Sequence, residues 1–408
     1  SPWLYVSIPF ISGIIGYGTN WLALKMTFHP INFWGIPCYR WKNQPIGIIG
    51  WQGIVPAKAA KMAADTCRLM MEKLFDINEL FRRLNPEELT KVFEPGMDEL
   101  MTGLLTEIAE ERAPTLWAGL PDTLKQEVFV KAREGSHAFM AGLVKDLGAN
   151  VEDYFDLQDM VVGTIDADKR ILNDLFTRVG KPEFKFIERS GFVFGFFFGL
   201  FQMTLFIFFD AWWVLPAFGF VVGYATNYIA LYMIFRPLNP HLVCCGRYTL
   251  QGVFLKRQME VSAAFGEVVY EKVLNSELLW DGMLHGAKAA EFHTLLQRHC
   301  QLFVDNMMGP LKPVAVMMLG DAGYADMVGD AAGKLSQRLP EHTHYLHDYT
   351  NHALQITATL RVAMRNLPFD EFEGVLHPVF QEDEIKLILV GAFLGLAVGF
   401  FQEFVIFG

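Results

Sequence analysis

Four side-chain amides lie inside long apolar stretches of this 408-residue chain: Asn20, Asn227, Gln202 and Gln402. A threonine precedes each asparagine, Thr19 and Thr226. An amide in so dry a setting must find a hydrogen-bond partner, because no water competes for it there. Two roles follow. The amides bond across helices and pin a bundle, or they line a polar path or a small-molecule site; buried polar residues in membranes serve both ends. Pinning is the favoured reading. Glu403 is the one carboxylate well inside such a stretch, and Met203 stands at the corresponding place earlier in the chain, so a symmetric ion path is not indicated.

His342, His344, His347, Asp348 and His352 form the one metal-like cluster. On a helix, His344, Asp348 and His352 share a face at spacings of four, and such ligands suit zinc. The spacing is permissive rather than diagnostic. The cluster follows Pro340, as solvent-exposed first turns often do, and no cysteine joins it. No metal is therefore expected, and no cofactor beyond structural lipids. The chain has no phosphate loop, nucleophile elbow, dinucleotide fingerprint or zincin motif, so no reaction is assigned to it. Gly53 and Gly252 read as isolated loop glycines.

The asparagines belong to a repeated element. Gly16-Tyr17-Gly18-Thr19-Asn20 through Pro30 recurs as Gly223-Tyr224-Ala225-Thr226-Asn227 through Pro237, with nine of fifteen positions identical at an offset of 207. The glutamines belong to another. At an offset of 200, Gly191, Gly195 and Gly199 coincide with Gly391, Gly395 and Gly399, and Phe201-Gln202 with Phe401-Gln402. We call these the Asn helix and the glycine-stripe helix. Such self-similarity reads as a duplication. Glycines four apart let helix backbones approach closely in lipid. Ser12, Gly16, Gly219 and Gly223 give the Asn helices a matching small face, and Asn20 and Asn227 share it. Each asparagine is therefore expected to face its own glycine-stripe helix.

Composition agrees with a bilayer setting. Hydrophobic residues make up 52% and charged residues only 19%, with 36 Phe and 9 Trp. Four runs explain the excess: Trp3–Met26, Gly191–Phe209, Ala211–Phe235 and Leu387–Phe407. Each is about twenty residues long, enough to span as a helix. Only Asp210 separates the middle two, so they make a hairpin, and both polar middles then share one side. All 34 Lys and Arg residues fall on that side or at its boundary. The positive-inside rule puts it in the cytoplasm, matrix or stroma. An organelle inner membrane, a thylakoid-type membrane and the plasma membrane all fit.

The expected fold is an all-α membrane protein. It has four transmembrane helices in two tandem parallel repeats, each with a long helical extramembrane domain on the same face. The segments are 1–27 and 211–236 for the Asn helices, 190–210 and 386–408 for the glycine-stripe helices, and 28–189 and 237–385 for the helical domains. No Arg- and Ser-rich transit segment and no cleaved secretory signal precedes the first run. Of the five cysteines, Cys38, Cys67, Cys244, Cys245 and Cys300, none forms a CxxC pair, and free thiols are expected on a reducing side. A net charge of −11 argues against nucleic acid as partner.

Within the middles, residues 31–55 read as an aromatic, glycine-rich loop at the interface, with a shorter counterpart at 238–254. Helices are expected over Ala57–Leu74, from Asn85-Pro86 to about Ala113, and from Pro121-Asp122 to about Leu147. Leu157–Val179 gives another, capped by Gly180. In the second middle they are expected over Leu255–Leu274, from a capped start at Ser276, and at about 286–308, 311–319, 324–338 and 341–366. No strand alternation competes.

The paired Gly-Tyr-x-Thr-Asn elements, each continuing Ala-Leu-x-Met-x-Phe-x-Pro, resemble those of the membrane family catalogued as domain of unknown function 445. So do Gln52-Gly53-Ile54-Val55-Pro56-x-Lys58 and Gly374-Val375 with Ile385-Lys386-Leu387-Ile388. The second copy departs at Leu255, where the loop proline of that pattern should stand. The resemblance implies an integral membrane protein of unsettled activity. The expected function is a non-enzymatic scaffold or accessory subunit touching membrane lipids and other membrane proteins. The alternative is a transporter or lipid-handling protein with a polar site between the repeats.

Overall fold

A computed structural model describes residues 2–36, 44–47, 49–112, 114–119, 121–209, 211–243, 248–309, 312–376 and 384–407. Asp210, Cys38, Cys244 and Cys245 lie outside the described residues, as do Ser1 and Gly408. The described residues are 84% helical. In order, the helices are α1 (Pro2–Phe28), α2 (Ile54–Ala57), α3 (Ala59–Lys73), α4 (Ile77–Phe81), α5 (Pro86–Arg112), α6 (Pro114–Gly119), α7 (Asp122–Ala149), α8 (Leu157–Ala167), α9 (Arg170–Phe208) and α10 (Val214–Phe235). They continue as α11 (Val253–Lys256), α12 (Gln258–Lys272), α13 (Ser276–His285), α14 (Ala289–Met307), α15 (Lys312–Arg338), α16 (His344–Leu354), α17 (Ile356–Asn366), α18 (Phe369–Leu376) and α19 (Glu384–Phe401), which passes into a π-helical turn over Gln402–Phe407.

Among the described residues, three helices are long and apolar enough to cross a membrane: Arg170–Phe208, Val214–Phe235 and Glu384–Val405. α1 has the length, at 27 residues, but is not among the three. Its sequence is diluted by Ser7, Pro9, Ser12, Thr19, Asn20 and three glycines.

The chain divides into two compact units. The first takes residues 1–70, 162–269 and 360–408. In it α1 lies along α9 and α10 along α19, and the two pairs meet through α9 against α10 and α1 against α19. The outward faces stay apolar, with Phe197, Phe201, Ile14 and Phe393 all exposed, as a lipid-facing surface requires.

The second unit takes 71–161 and 270–359. Where the sequence suggests one helical domain per repeat, these stretches of both middles share a core. α5 and α14 pack on α7, α15 and α16 on α5, and α13 on α14 and α16. Phe81, Phe93, Met97, Leu147, Phe292 and Leu296 are fully buried there. Cys300 lies in this core, and burial pushes its thiol up to about 12. Cys67 and Cys300 are both buried.

Several element boundaries differ from expectation for physical reasons. Gly180 does not cap a helix. α9 runs for 39 residues through Gly180 and Pro182 into the glycine stripe, because the buried line Leu172, Phe176, Val179 and Ile187 continues across both breakers. Lys312–Arg338 is one helical stretch kinked at Gly320 (φ 72°), and 341–366 breaks at the left-handed Gln355 (φ 49°). Asn275, one residue before the expected start, caps α13 by accepting from the Leu278 amide at 3.0 Å. The expected Asn85 cap accepts from the Glu87 amide at 2.8 Å.

The expectation that no strand competes needs correcting, while the mostly helical class stands. Trp34–Gly35, Gly50–Trp51 and Ile46–Gly47 form a small antiparallel patch with Gly50–Trp51 central, and His241–Val243 pairs with Tyr248–Leu250. Strands of two or three residues are too short to leave an alternation signal.

Candidate functional site: the glycine–asparagine seams

Each Asn helix meets its glycine-stripe helix along a seam where glycines lie directly against facing backbone. A methyl group added at Gly16 would collide with the Gly191 carbonyl, and one at Gly223 with the Gly391 carbonyl. Gly195 lies against the Ser12 carbonyl and Gly199 against Pro9 Cα; Gly395 and Gly399 meet Gly219 and Pro216 in the same way. Small residues are what permits this approach, which is how helices gain dispersion energy in lipid.

The asparagines lie in these seams. Asn20 Nδ2 donates to the Ile187 carbonyl at 2.7 Å, and Asn227 Nδ2 donates to the Leu387 carbonyl at 3.0 Å. Both acceptors precede a stripe glycine, Gly191 or Gly391, by four residues, so each amide reaches one turn beyond the closest contact. The threonines do not reach across. Thr19 donates to Gly16 O at 3.2 Å and Thr226 to Gly223 O at 3.4 Å, back-bonding within their own helices.

Gln202 and Gln402 are each 1% exposed. Ser12 Oγ donates to Gln202 Oε1 at 2.9 Å. The second pair has Gly219 at the place of Ser12. Among the described residues Gln202 Nε2, Gln402 Nε2 and Asn20 Oδ1 have no hydrogen-bond partner.

Turn motifs beyond the C-terminal ends of the Asn helices hold the chain that follows. Gln52 Nε2 donates to Ile31 O at 2.6 Å and Gln251 Nε2 to Leu238 O at 3.0 Å. The neighbouring glycines are more than loop residues. Gly53 N donates to Pro30 O at 2.8 Å, and a Cβ there would sit 2.7 Å from the Phe28 carbonyl carbon. Gly252 N donates to Pro237 O at 3.0 Å, with its Cβ position 2.6 Å from Ile234 O. Both turns need glycine for close approach. The offset of 199 between Gln52-Gly53 and Gln251-Gly252 is the sequence signal that marks them.

Two arginines complete this end through ion pairs that were not singled out from sequence. Arg257 holds Glu183 through two bonds of 2.6 and 2.8 Å and also Glu260 at 2.8 Å. Burial opposes the Arg257 charge, yet the carboxylates outweigh it and raise its pKa. Arg236 donates to Glu373 at 3.0 Å. Burial nevertheless holds the Glu373 carboxyl above the usual carboxylate range, with Asp370 adding to the rise and Arg236 opposing it. Asn173, at the same distance before its glycine stripe as Glu373, instead donates to Phe28 O at 2.6 Å. Beside Glu183 lies a small apolar crevice lined by Phe176, Val179, Phe184, Leu231, Ile234 and Phe254, among others.

The histidine cluster does not converge. Among the described residues no group of three or more His, Cys, Asp or Glu could hold a metal ion. His342 faces Glu99 at 3.4 Å, and His344 Nδ1 contacts Glu341 O at 3.2 Å.

Two curated proteins resemble parts of this chain. A UPF0754 membrane protein of Nostoc punctiforme is 28% identical over 145 residues, 36% of this chain and 29% of the relative. A second, from another Nostoc, is 28% identical over 150 residues, 32% of this chain and 34% of the relative. The chain spans about a third of the length of the curated relatives it matches. No family model and no solved structure matches it. The relatives' names, from an uncharacterised family, and the three apolar helices agree that this is a membrane protein.

Proposed function

We propose that the chain is a non-enzymatic membrane scaffold or accessory subunit, whose extramembrane helices dock partner proteins or membrane surfaces. On this reading all four apolar helices span, the two pairs are an internal duplication in parallel orientation, and the basic side faces cytoplasm, stroma or matrix. The likeness of its motifs to domain of unknown function 445 fits that arrangement. Membrane lipids and other membrane proteins are the partners, not nucleic acid; no metal or cofactor is required.

The observation that carries the reading is the use made of Asn20 and Asn227. Both intramembrane amides spend a donor on a backbone carbonyl of the adjoining helix, as packing pins do. A second reading, a site for a small polar ligand or lipid, draws on the unpartnered Gln202 Nε2, Gln402 Nε2 and Asn20 Oδ1. The double variant Asn20→Leu with Asn227→Leu separates the two. Under the scaffold reading it lowers bundle stability in detergent and abolishes no transport in liposomes. A folded double variant that loses a measurable flux or ligand affinity would reverse the choice.

A further inference from the structure

The outer faces of the two Asn helices carry a second matched feature, which the seams do not use. On α10, Tyr224, Tyr228 and Tyr232 stack as a ladder, with successive ring centroids 6.3 and 6.2 Å apart and ring planes 12° and 24° from parallel. All three are exposed, at 44%, 46% and 52%. On α1 the same places hold Tyr17, Trp21 and Lys25; Tyr17 and Trp21 are 42% and 44% exposed, and Lys25 is exposed as well. Spacings of four put each trio on one helix face, away from Gly16–Asn20 and Gly223–Asn227.

Depth decides what these faces need. Tyr17 and Tyr224 each lie eleven residues before the helix ends Phe28 and Phe235, about 16 Å at the helical rise. A tyrosine cannot snorkel that far, and lipid tails offer no acceptor for its hydroxyl. No hydrogen bond to either hydroxyl occurs among the described residues. An aromatic belt at the headgroups accounts for Tyr232, not for Tyr17 or Tyr224.

We infer that the Tyr17–Trp21–Lys25 face of one copy docks on the Tyr224–Tyr228–Tyr232 ladder of a second copy of this chain. The argument is complementarity at matched depth, and it rests on the proposed spanning of α1 and α10. Both helices would run the same way through the bilayer, so Lys25 meets the face of Tyr232, a cation against an aromatic quadrupole. Trp21 meets Tyr228. The hydroxyls of Tyr17 and Tyr224, each both donor and acceptor, satisfy one another. The contact is head to tail, so it repeats from copy to copy and gives a ring or an open row.

A photo-activatable benzophenone side chain at position 228 of the full chain tests this in liposomes of bacterial phospholipid. The expected adduct joins two copies, and its peptide map contains Trp21. Lys25→Leu, an exposed position, should lower the adduct yield about tenfold. An adduct to lipid alone, to a different protein, or to another α10 would overturn the proposal, as would an unchanged yield in Lys25→Leu. Carbonate extraction before irradiation keeps the premises apart. Release of the chain would end the spanning model, whereas a retained chain without the copy-to-copy adduct ends only the docking.

Discussion

The two helix pairs, α1 with α9 and α10 with α19, agree in their backbones and differ in their polar atoms. Both have glycine against carbonyl, asparagine to the carbonyl four residues before a stripe glycine, and a Gln-Gly turn closing the end. The first pair adds neutral hydrogen bonds: Ser12 to Gln202, and Asn173 to Phe28 O. The second has Gly219 and Glu373 at those places, and Glu373 takes Arg236 as a charged partner. Close approach is therefore kept at Gly16, Gly223 and the stripe glycines, where an added methyl group would meet facing backbone. Side-chain chemistry at the edges of the seam varies as long as each polar group finds something to bond.

If that division is right, filling the seam costs most. Gly16→Leu or Gly223→Leu must push two backbones apart, and overpacking a tight contact costs about 3 kcal/mol or more. We expect loss of the folded bundle, read as aggregation in size-exclusion chromatography; a monodisperse Gly223→Leu protein would break the comparison. Removing one pin costs less. Asn20→Leu or Asn227→Leu should each lower stability by about 1 kcal/mol, the usual worth of an interhelical bond in lipid. Similar losses at both sites in detergent unfolding are expected, and a loss confined to one pair would show that the seams are not equivalent.

Smaller again is the edge chemistry. Ser12→Ala should cost about 0.6 kcal/mol or less, since Gln402 already stands without that hydroxyl in the second pair. The same thermal assay checks it, and a loss as large as that of Asn20→Leu would move Ser12 from the edge to the core of the seam.

The smallest effect is a pH slope in the second pair alone. Burial raises the Glu373 carboxyl above its ordinary value, so the folded chain holds that proton more tightly than the unfolded one. This contribution to stability is full below the ordinary carboxylate range and declines as pH rises through the elevated folded value. Glu373→Gln should flatten that decline between mildly acidic and neutral pH. An unchanged slope would assign it to another group.

How much of this was legible in the sequence depends on the length of the feature. Nine identities in fifteen residues and glycines every four residues make the seam readable, because one close contact per turn demands a small residue per turn. The choice of Asn20 partner was readable too, since Gly16 and Asn20 share a face. What could not be read came from distant pairing. Glu183 and Arg257 are 74 residues apart, and Arg236 and Glu373 137 apart, with no periodicity linking them. Gly180 and Pro182 misled because local breakers yield when a buried apolar line continues past them, as it does from Leu172 to Ile187.

That unbroken α9 has a mechanical consequence. Its 39 residues are about 58 Å of stiff rod at the helical rise, and some twenty of them precede the glycine stripe. On the proposed spanning, the outer part is a lever arm of about 30 Å fixed without a hinge to the part in lipid. A tilt of about 10° at hydrocarbon level, the kind that a change in bilayer thickness imposes, swings the far end by about 5 Å. The rod would convert membrane thickness into lateral displacement. Spin labels at Asp174 and Thr204 would read its stiffness as a single narrow distance, and a broad or double distribution would place a joint at Pro182.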